Sequence, residues 1–322
     1  MLLAYLAVLA GFAFLVWGAD RFVIGASATA RNLGIPPLII GLTIVGFATS
    51  APEMLVSGMA AWGGNTSMGI GNAVGSNITN IALVLGITAL VKPMTVHSSV
   101  LQREFPILFL ATLFMLTLML DGELSRLDGI LMMGGLILIV YWIVMVALQT
   151  RKKDPMSVEF EAEIPSEMSN LKAMGLLLLG IIVLLISSRV LVWGAVEIAV
   201  SFGISDLVIG LTIIAIGTSL PELAASVMSA LKGEHDIAIG NIIGSNMFNI
   251  LGVMGLPAII SGYQAEAELF NRDLPVMLGL TITLFVLAYG FRGTGRLNRY
   301  EGSVLLSCYA IYMLLLANVA IF

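Results

Sequence analysis

The chain has 322 residues, of which 59% are hydrophobic and 11% charged, with a formal net charge of -5 and a mean hydropathy of +1.03. Soluble domains carry about 25% charged residues, so a chain this long and this apolar needs lipid as its solvent, crossed by helices of about 20 apolar residues. The single Cys308 excludes an intrachain disulfide and a thiolate cluster, and His97 and His235 stand in unrelated contexts with no zinc-ligand spacing.

Ten apolar segments follow in chain order, at about 2–28, 37–61, 69–91, 104–121, 127–149, 171–200, 205–231, 237–261, 273–291 and 300–321. The first has no positive flank and no small-residue cleavage site, so it reads as a span and not as a signal peptide. Short loops with turn chemistry separate the segments, among them Asn32 to Pro36, Gly63 to Asn65, Asp121 to Glu123 and Lys232 to Glu234. The longest connection is basic at Arg151, Lys152 and Lys153 and acidic at Glu159, Glu161, Glu163 and Glu167, a solvated linker over residues 151–170. Residues 1–150 and 171–322 then form two five-helix halves. With the N-terminus outside, the cytoplasmic loops and helix ends hold Arg31, Lys92, Arg103, Arg151, Lys152, Lys153, Lys172, Lys232, Arg292, Arg296 and Arg299, against only Arg126 and Arg272 outside. Positive charge marks the cytoplasmic side, which puts both termini outside.

A shift of 169 residues superposes the chain on itself without a gap from about residue 20 to residue 106. Residues 38–53, LIIGLTIVGFATSAPE, align with residues 207–222, LVIGLTIIAIGTSLPE, with ten identities in sixteen. Residues 71–81, GNAVGSNITNI, align with residues 240–250, GNIIGSNMFNI, with seven in eleven. An odd number of spans per copy makes the second copy enter from the opposite side. The predicted fold is therefore all-α, ten transmembrane helices as two inverted five-helix repeats, an architecture that places a transported substrate near the midplane on interrupted helices.

The twin segments Thr49 to Glu53 and Thr218 to Glu222 carry the chemistry. Pro52 and Pro221 lack an N–H and clash with the carbonyl four residues back, so helix 2 should break or kink around Ala48 and helix 7 around Gly217. Carbonyls near Gly46 to Ala48 and Ala215 to Gly217 then need new partners, which a cation can supply. Thr49 and Glu53, like Thr218 and Glu222, are four apart and share a helix face. Helix 3 carries a polar stripe at Asn72, Ser76 and Asn80, and helix 8 repeats it at Asn241, Ser245 and Asn249. Gly71 with Gly75, and Gly240 with Gly244, are small-xxx-small pairs that read as close helix packing. Helices 2, 3, 7 and 8 should thus gather hydroxyls, amide oxygens, carbonyls and two carboxylates. Hard oxygen ligands suit Na+ and Ca2+ and not soft metals. Ionised glutamates at the bilayer centre cost at least about 2.5 kcal/mol each, so a matched pair points to ion transport.

Other membrane charges read as structural. Asp20 pairs locally with Arg21, Arg189 and Glu197 snorkel outward, His235 is a loop residue, and the eighteen methionines are apolar filler. No HExxH motif, Gly-x-Ser-x-Gly elbow or histidine beside a nucleophile supports an enzyme. A channel filter made from Glu53 and Glu222 is the rival transport reading.

The paired T-S-x-P-E and G-S-N motifs, over all ten spans, resemble the calcium/cation antiporter superfamily and its bacterial sodium/calcium exchanger branch. The resemblance implies a multi-pass protein of the bacterial inner membrane that exchanges Ca2+ for Na+ by alternating access, with helices 1 and 6 sliding against the rest. It implies no cofactor, no nucleic acid and no obligate protein partner; the partners are the bilayer, Ca2+, and Na+ or H+. Carried over by motif, Glu53 and Glu222 are the principal Ca2+ ligands and Thr49 and Thr218 add carbonyl oxygens. Ser50, Ser219, Ser76 and Ser245, with the Gly46 and Ala215 carbonyls, form flanking Na+ sites, and Asn80 and Asn249 complete the centre. Some exchangers of this type carry aspartate where this chain has Asn249. With amides at both central positions the formal charge is at most -2, enough for one Ca2+, two Na+ or two H+, which also admits a Ca2+/H+ antiporter.

Overall fold

The computed structural model describes residues 1–96, 104–152, 168–203, 215–289 and 295–321. Among them the helices are α1 (Leu2–Leu33), α2 (Pro37–Trp62), α3 (Thr66–Val91), α4 (Phe105–Leu118), α5 (Arg126–Lys152), α6 (Asn170–Ser201), α7 (Leu220–Leu231), α8 (His235–Ser261), α9 (Leu269–Ala288) and α10 (Arg299–Ile321). Seven of these, α1, α2, α3, α5, α6, α8 and α9, are long and apolar enough to cross a membrane, and α4 and α7 are shorter apolar helices. His97, Arg103, Lys153, Arg292, the acidic part of the linker and the start of the expected seventh segment lie outside the described residues.

The chain divides into two compact units, the first Met1–Thr49 with Leu138–Asn241 and the second Ser50–Ile137 with Ile242–Phe322. In the first unit α1 runs along α6, and glycines set the approach. Gly11 faces Leu191, Gly18 faces Val183, Gly25 faces Leu177, and Gly194 faces Ala4. A methyl group on Gly180 would sit 2.5 Å from the Phe22 backbone. Association in lipid is driven by such close packing, because lipid tails are as apolar as leucine. Leu15, Phe22, Val23, Ile40, Val45, Leu177 and Leu184 form the buried core, while Leu2, Leu9 and Phe12 of α1 and Leu178, Ile182 and Ile186 of α6 are exposed. Helices α2 and α8 cross at a second glycine contact, where a Cβ on Gly240 would meet the Leu38 carbonyl at 2.7 Å. The expected packing role of Gly240 is seen, whereas no described residue lies within 4 Å of a Cβ built on Gly71 or Gly75.

The local pairing expected of Asp20 with Arg21 is present, but a longer-range partner lies closer. The nearest partner of Asp20 is Lys232, at 2.7 Å, with Arg21 at 3.7 Å. A second pair joins Arg31 to Glu234 at 3.1 Å. Both link α1 to the end of α7, residues far apart in sequence, which is why a local reading missed them. Arg189 and Glu197 are exposed as expected, and His235 opens α8 instead of lying in a loop.

In the second unit α2, α3 and α8 meet through small residues and hydroxyls. Gly69 lies against Ser57 and Pro257, and Thr66 and Ser261 share a 2.6 Å hydroxyl contact. Gly86 of α3 lies against Gly302 of α10. Between α2 and α3, Gly64 turns the chain at φ 86°, and the Asn65 side chain caps α3 by accepting from the Met68 N–H. Two short antiparallel pairs close the unit: β1 (Met94–Val96) with β4 (Gly295–Leu297), and β2 (Glu123–Leu124) with β3 (Tyr263–Gln264).

Among the described residues four π-helical turns occur in the helices, at Gly41–Val45, Asn80–Val84, Asn249–Val253 and Leu269–Asp273. The turns in α3 and α8 begin at Asn80 and Asn249, 169 residues apart as in the repeat. The Met254 N–H reaches the Asn249 carbonyl five residues back, at 3.0 Å. Such turns gather at functional sites, and apolar periodicity carries no signal for them.

The two prolines are accommodated differently. Residues Gly46–Trp62 of α2 are one α-helix with Pro52 inside, so of the break or kink expected around Ala48 the break is absent. Membrane helices tolerate proline where neighbouring groups take up the freed carbonyl, which for Pro52 is that of Ala48, four residues back. In the second copy a turn at Ala215–Thr218 stops and α7 starts at Leu220, with Ser219 at the join and Pro221 in the first turn, where proline needs no N–H.

Gly180→Val should force apart α1 and α6. Overpacking of this kind costs about 1–3 kcal/mol, read as a lower melting temperature of the protein in detergent. Gly175→Val, with no described atom within 4 Å of its Cβ, should leave the melting temperature in place.

Candidate functional site

The first-copy motif straddles the join between the units: Gly46 and Thr49 belong to the first unit, Ser50 and Glu53 to the second. Each unit therefore holds its own set of candidate groups.

In the second unit Glu53 is 1% exposed, and neither carboxylate oxygen has a hydrogen-bond partner among the described residues. Asn80 and Asn249, 1% and 0% exposed, likewise have both amide atoms unpaired there, as does the Ser50 hydroxyl. Ser76 and Ser245 are buried in the same unit. Three helices hold these groups. Helix α2 is pinned to α3 by Asn72, whose Nδ2 donates to the Glu53 carbonyl at 3.3 Å and to Ser57 Oγ at 2.9 Å. The Ser57 hydroxyl in turn donates to the Gly69 carbonyl at 3.0 Å. Helix α8 packs on α3 through the turn that begins at Asn249.

The first unit repeats the arrangement around Glu222, which is 1% exposed. Asn241 Nδ2 donates to the Glu222 carbonyl at 3.3 Å and to Ser226 Oγ at 2.9 Å, pinning α7 to α8. The buried Thr49 hydroxyl lies 3.1 Å from Asn241 Oδ1, which ties α2 to the same amide. Ser219 precedes α7, a position where serine usually caps a helix, yet its buried hydroxyl caps nothing and has no described partner. The carbonyl orphaned by Pro221 is that of Gly217, four residues back, and the Ser188 hydroxyl of α6 takes it at 2.9 Å. That carbonyl is thus occupied by a protein donor and not left for an ion. Thr218 is half-buried, and Ala215 opens the short turn that ends at Thr218.

Burying an ionised carboxylate is expensive unless it is paired or bound to a metal ion. Among the described residues no lysine or arginine pairs with Glu53. Nor do three His, Cys, Asp or Glu side chains gather at one point among them. The buried groups that share a unit with Glu53, Ser50, Ser76, Asn80, Ser245 and Asn249, offer neutral oxygen, the ligand type of Na+ and Ca2+. The expected stripes are present, but their members divide by role: Ser76, Asn80, Ser245 and Asn249 are buried ligand candidates, whereas Asn72 and Asn241 spend their amides on helix packing. Ser57 and Ser226 were missed in the sequence. A signal existed, since each lies four residues after its glutamate and the two are related by the same 169-residue shift.

The sodium/calcium exchanger protein family profile matches the chain twice, over residues 3–149 and 172–318. CaxA of Alkalimonas amylolytica, whose name gives it provisionally as an antiporter, is 50% identical over 98% of this chain and 99% of its own. The sodium/calcium exchanger MaX1 of Methanosarcina acetivorans is 33% identical over 97% of this chain and 98% of its own. A solved structure of the sodium-calcium exchanger NCX_Mj, soaked with zero Na+ and Ca2+, superposes with a TM-score of 0.84 at 31% identity, covering 98% of this chain and 99% of that one. These relatives are transporters and not enzymes, and the multi-pass helical architecture is theirs too. The chain belongs to the sodium/calcium exchanger protein family of membrane antiporters.

Proposed function

We propose that this protein exchanges Ca2+ for Na+ by alternating access between two inverted five-helix repeats, with both termini outside. Glu53 and Glu222 hold the Ca2+. Thr49, Thr218, Asn80 and Asn249 complete its shell, and Ser50, Ser219, Ser76 and Ser245, with the Gly46 and Ala215 carbonyls, hold the counter-ion. The observation that carries this reading is the Glu53 carboxylate, buried without a described partner inside a motif that the chain repeats 169 residues later. A group in that state needs a cation or a proton.

The strand pairs support the alternating topology. Strand β1 follows α3 and pairs with β4 between α9 and α10, while β2 follows α4 and pairs with β3 between α8 and α9. Ten alternating spans put each of these loop pairs on one face of the membrane. The Escherichia coli relative, 41% identical, is named an inner membrane protein, which supports a plasma-membrane location here.

A Ca2+/H+ antiporter is the second reading, favoured by the neutral amides of Asn80 and Asn249. Two carboxylates balance one Ca2+, two Na+ or two H+, and neither central position adds a charge for a third monovalent ion.

Purified protein in lipid vesicles should take up Ca2+ against an imposed Na+ gradient at clamped pH, with saturation in Ca2+. Glu53→Gln and Glu222→Gln should each abolish uptake. Uptake driven only by a pH gradient would select the second reading; flux that never saturates and stays linear in voltage would select a channel. No gradient-driven uptake, or an unaffected Glu53→Gln protein, would refute both antiport readings.

Protonation removes the charge that Ca2+ needs, so a carboxylate site loses Ca2+ as pH falls through the pKa of the empty site. Apparent Ca2+ affinity, measured as uptake against Ca2+ concentration at a series of pH values, should fall on acidification. A rise would contradict the ligand assignment.

A further inference from the structure

Asn72 and Asn241 lie in the polar stripes of α3 and α8, yet their geometry sets them apart from the ligand candidates beside them. Each amide nitrogen has two hydrogens to donate. In both copies one goes to a glutamate main-chain carbonyl at 3.3 Å and the other to a serine hydroxyl at 2.9 Å. The partners, Glu53 with Ser57 and Glu222 with Ser226, are related by the same 169-residue shift as the asparagines. Identical distances in two copies whose surrounding apolar residues differ mark a conserved contact within the duplication and not an accident of packing.

The contact grips one full helical turn. A helical carbonyl uses one lone pair on the N–H four residues on, and the amide takes the second. The serine one turn further is held by the same amide. In the first copy its own proton is committed to Gly69. The backbone beneath each carboxylate is thereby fixed against the neighbouring helix. That helix also carries, four and eight residues beyond the asparagine, Ser76 with Asn80 or Ser245 with Asn249, and spacings of four keep these on one face. In the second copy Asn241 Oδ1 also meets the Thr49 hydroxyl at 3.1 Å.

We infer that Asn72 and Asn241 are positioning residues, which set the register of Glu53 and Glu222 against the helices bearing the remaining ligands, and do not themselves bind the transported ion. The inference rests on the ligand roles proposed above for the two glutamates. Partners that orient a metal's ligands typically change affinity by about 10–100-fold when removed, without supplying or removing charge at the metal.

The test is Ca2+ uptake by lipid vesicles containing Asn72→Ala or Asn241→Ala protein, driven by whichever gradient drives the unsubstituted protein. Each substitution should raise the KM for Ca2+ about 10-fold or more and leave the maximal rate within about twofold. Ser57→Ala and Ser226→Ala, which remove one of the two amide contacts, should raise KM in the same direction by less. In detergent, Ca2+ alone should stabilise Asn241→Ala protein against heat, but only at correspondingly higher Ca2+. An unchanged KM in the asparagine or serine variants, or a loss confined to maximal rate or to the yield of folded protein, would overturn the inference. Absence of uptake by the unsubstituted protein would instead overturn the functional reading on which it rests.

Discussion

A carboxylate inside a membrane-spanning helix, with no donor and no fixed cation to meet it, is the constraint on which the rest of the structure turns. Glu53 is in that position among the described residues. The unpaired buried groups that share its unit offer oxygen and not positive charge: the Ser50 hydroxyl and the amides of Asn80 and Asn249. A lysine in their place would neutralise the glutamate permanently and leave nothing for a cation to do. Neutral oxygens instead leave the charge to be balanced by something that can leave, which is what transport requires.

The helices reach this arrangement through small residues. Gly41 and Gly240 let α2 and α8 cross at backbone distance, and that crossing brings Thr49 within hydrogen-bond range of Asn241. Gly69 lets α3 approach Ser57, which brings Asn72 to the carbonyl of Glu53. With no hydrophobic drive between helices in lipid, close packing and interhelical hydrogen bonds supply the cohesion. The same contacts that hold the helices together therefore set where the carboxylates sit. The π turns that begin at Asn80 and Asn249 change the helical phase from the central amides onward, and the duplication has kept both.

Much of this was legible in the sequence. The twin Thr-Ser-x-Pro-Glu segments and the Asn/Ser stripes stood out because polar residues in register are rare in apolar helices, and their burial follows from that rarity. What remained hidden depended on distances between helices. Asp20 was paired with its neighbour Arg21, but Lys232 lies closer, because α1 passes the end of α7. Ser57 and Ser226 take their role from Asn72 and Asn241, which reach them across a helix pair. Proline breaks the helix in one copy only: Pro221 starts a helix after a break, while Pro52 is carried inside a continuous one. The local rule gives the cost of proline, and whether a neighbour compensates is decided by packing.

In the proposed exchange Glu53 and Glu222 together hold one Ca2+ that a monovalent ion displaces. Titration calorimetry of the purified protein in detergent tests it most directly. The expected result is one Ca2+ bound per chain, competed by Na+ or H+, with binding lost in both Glu53→Gln and Glu222→Gln. Two independent Ca2+ per chain, or binding that survives either substitution, would contradict it.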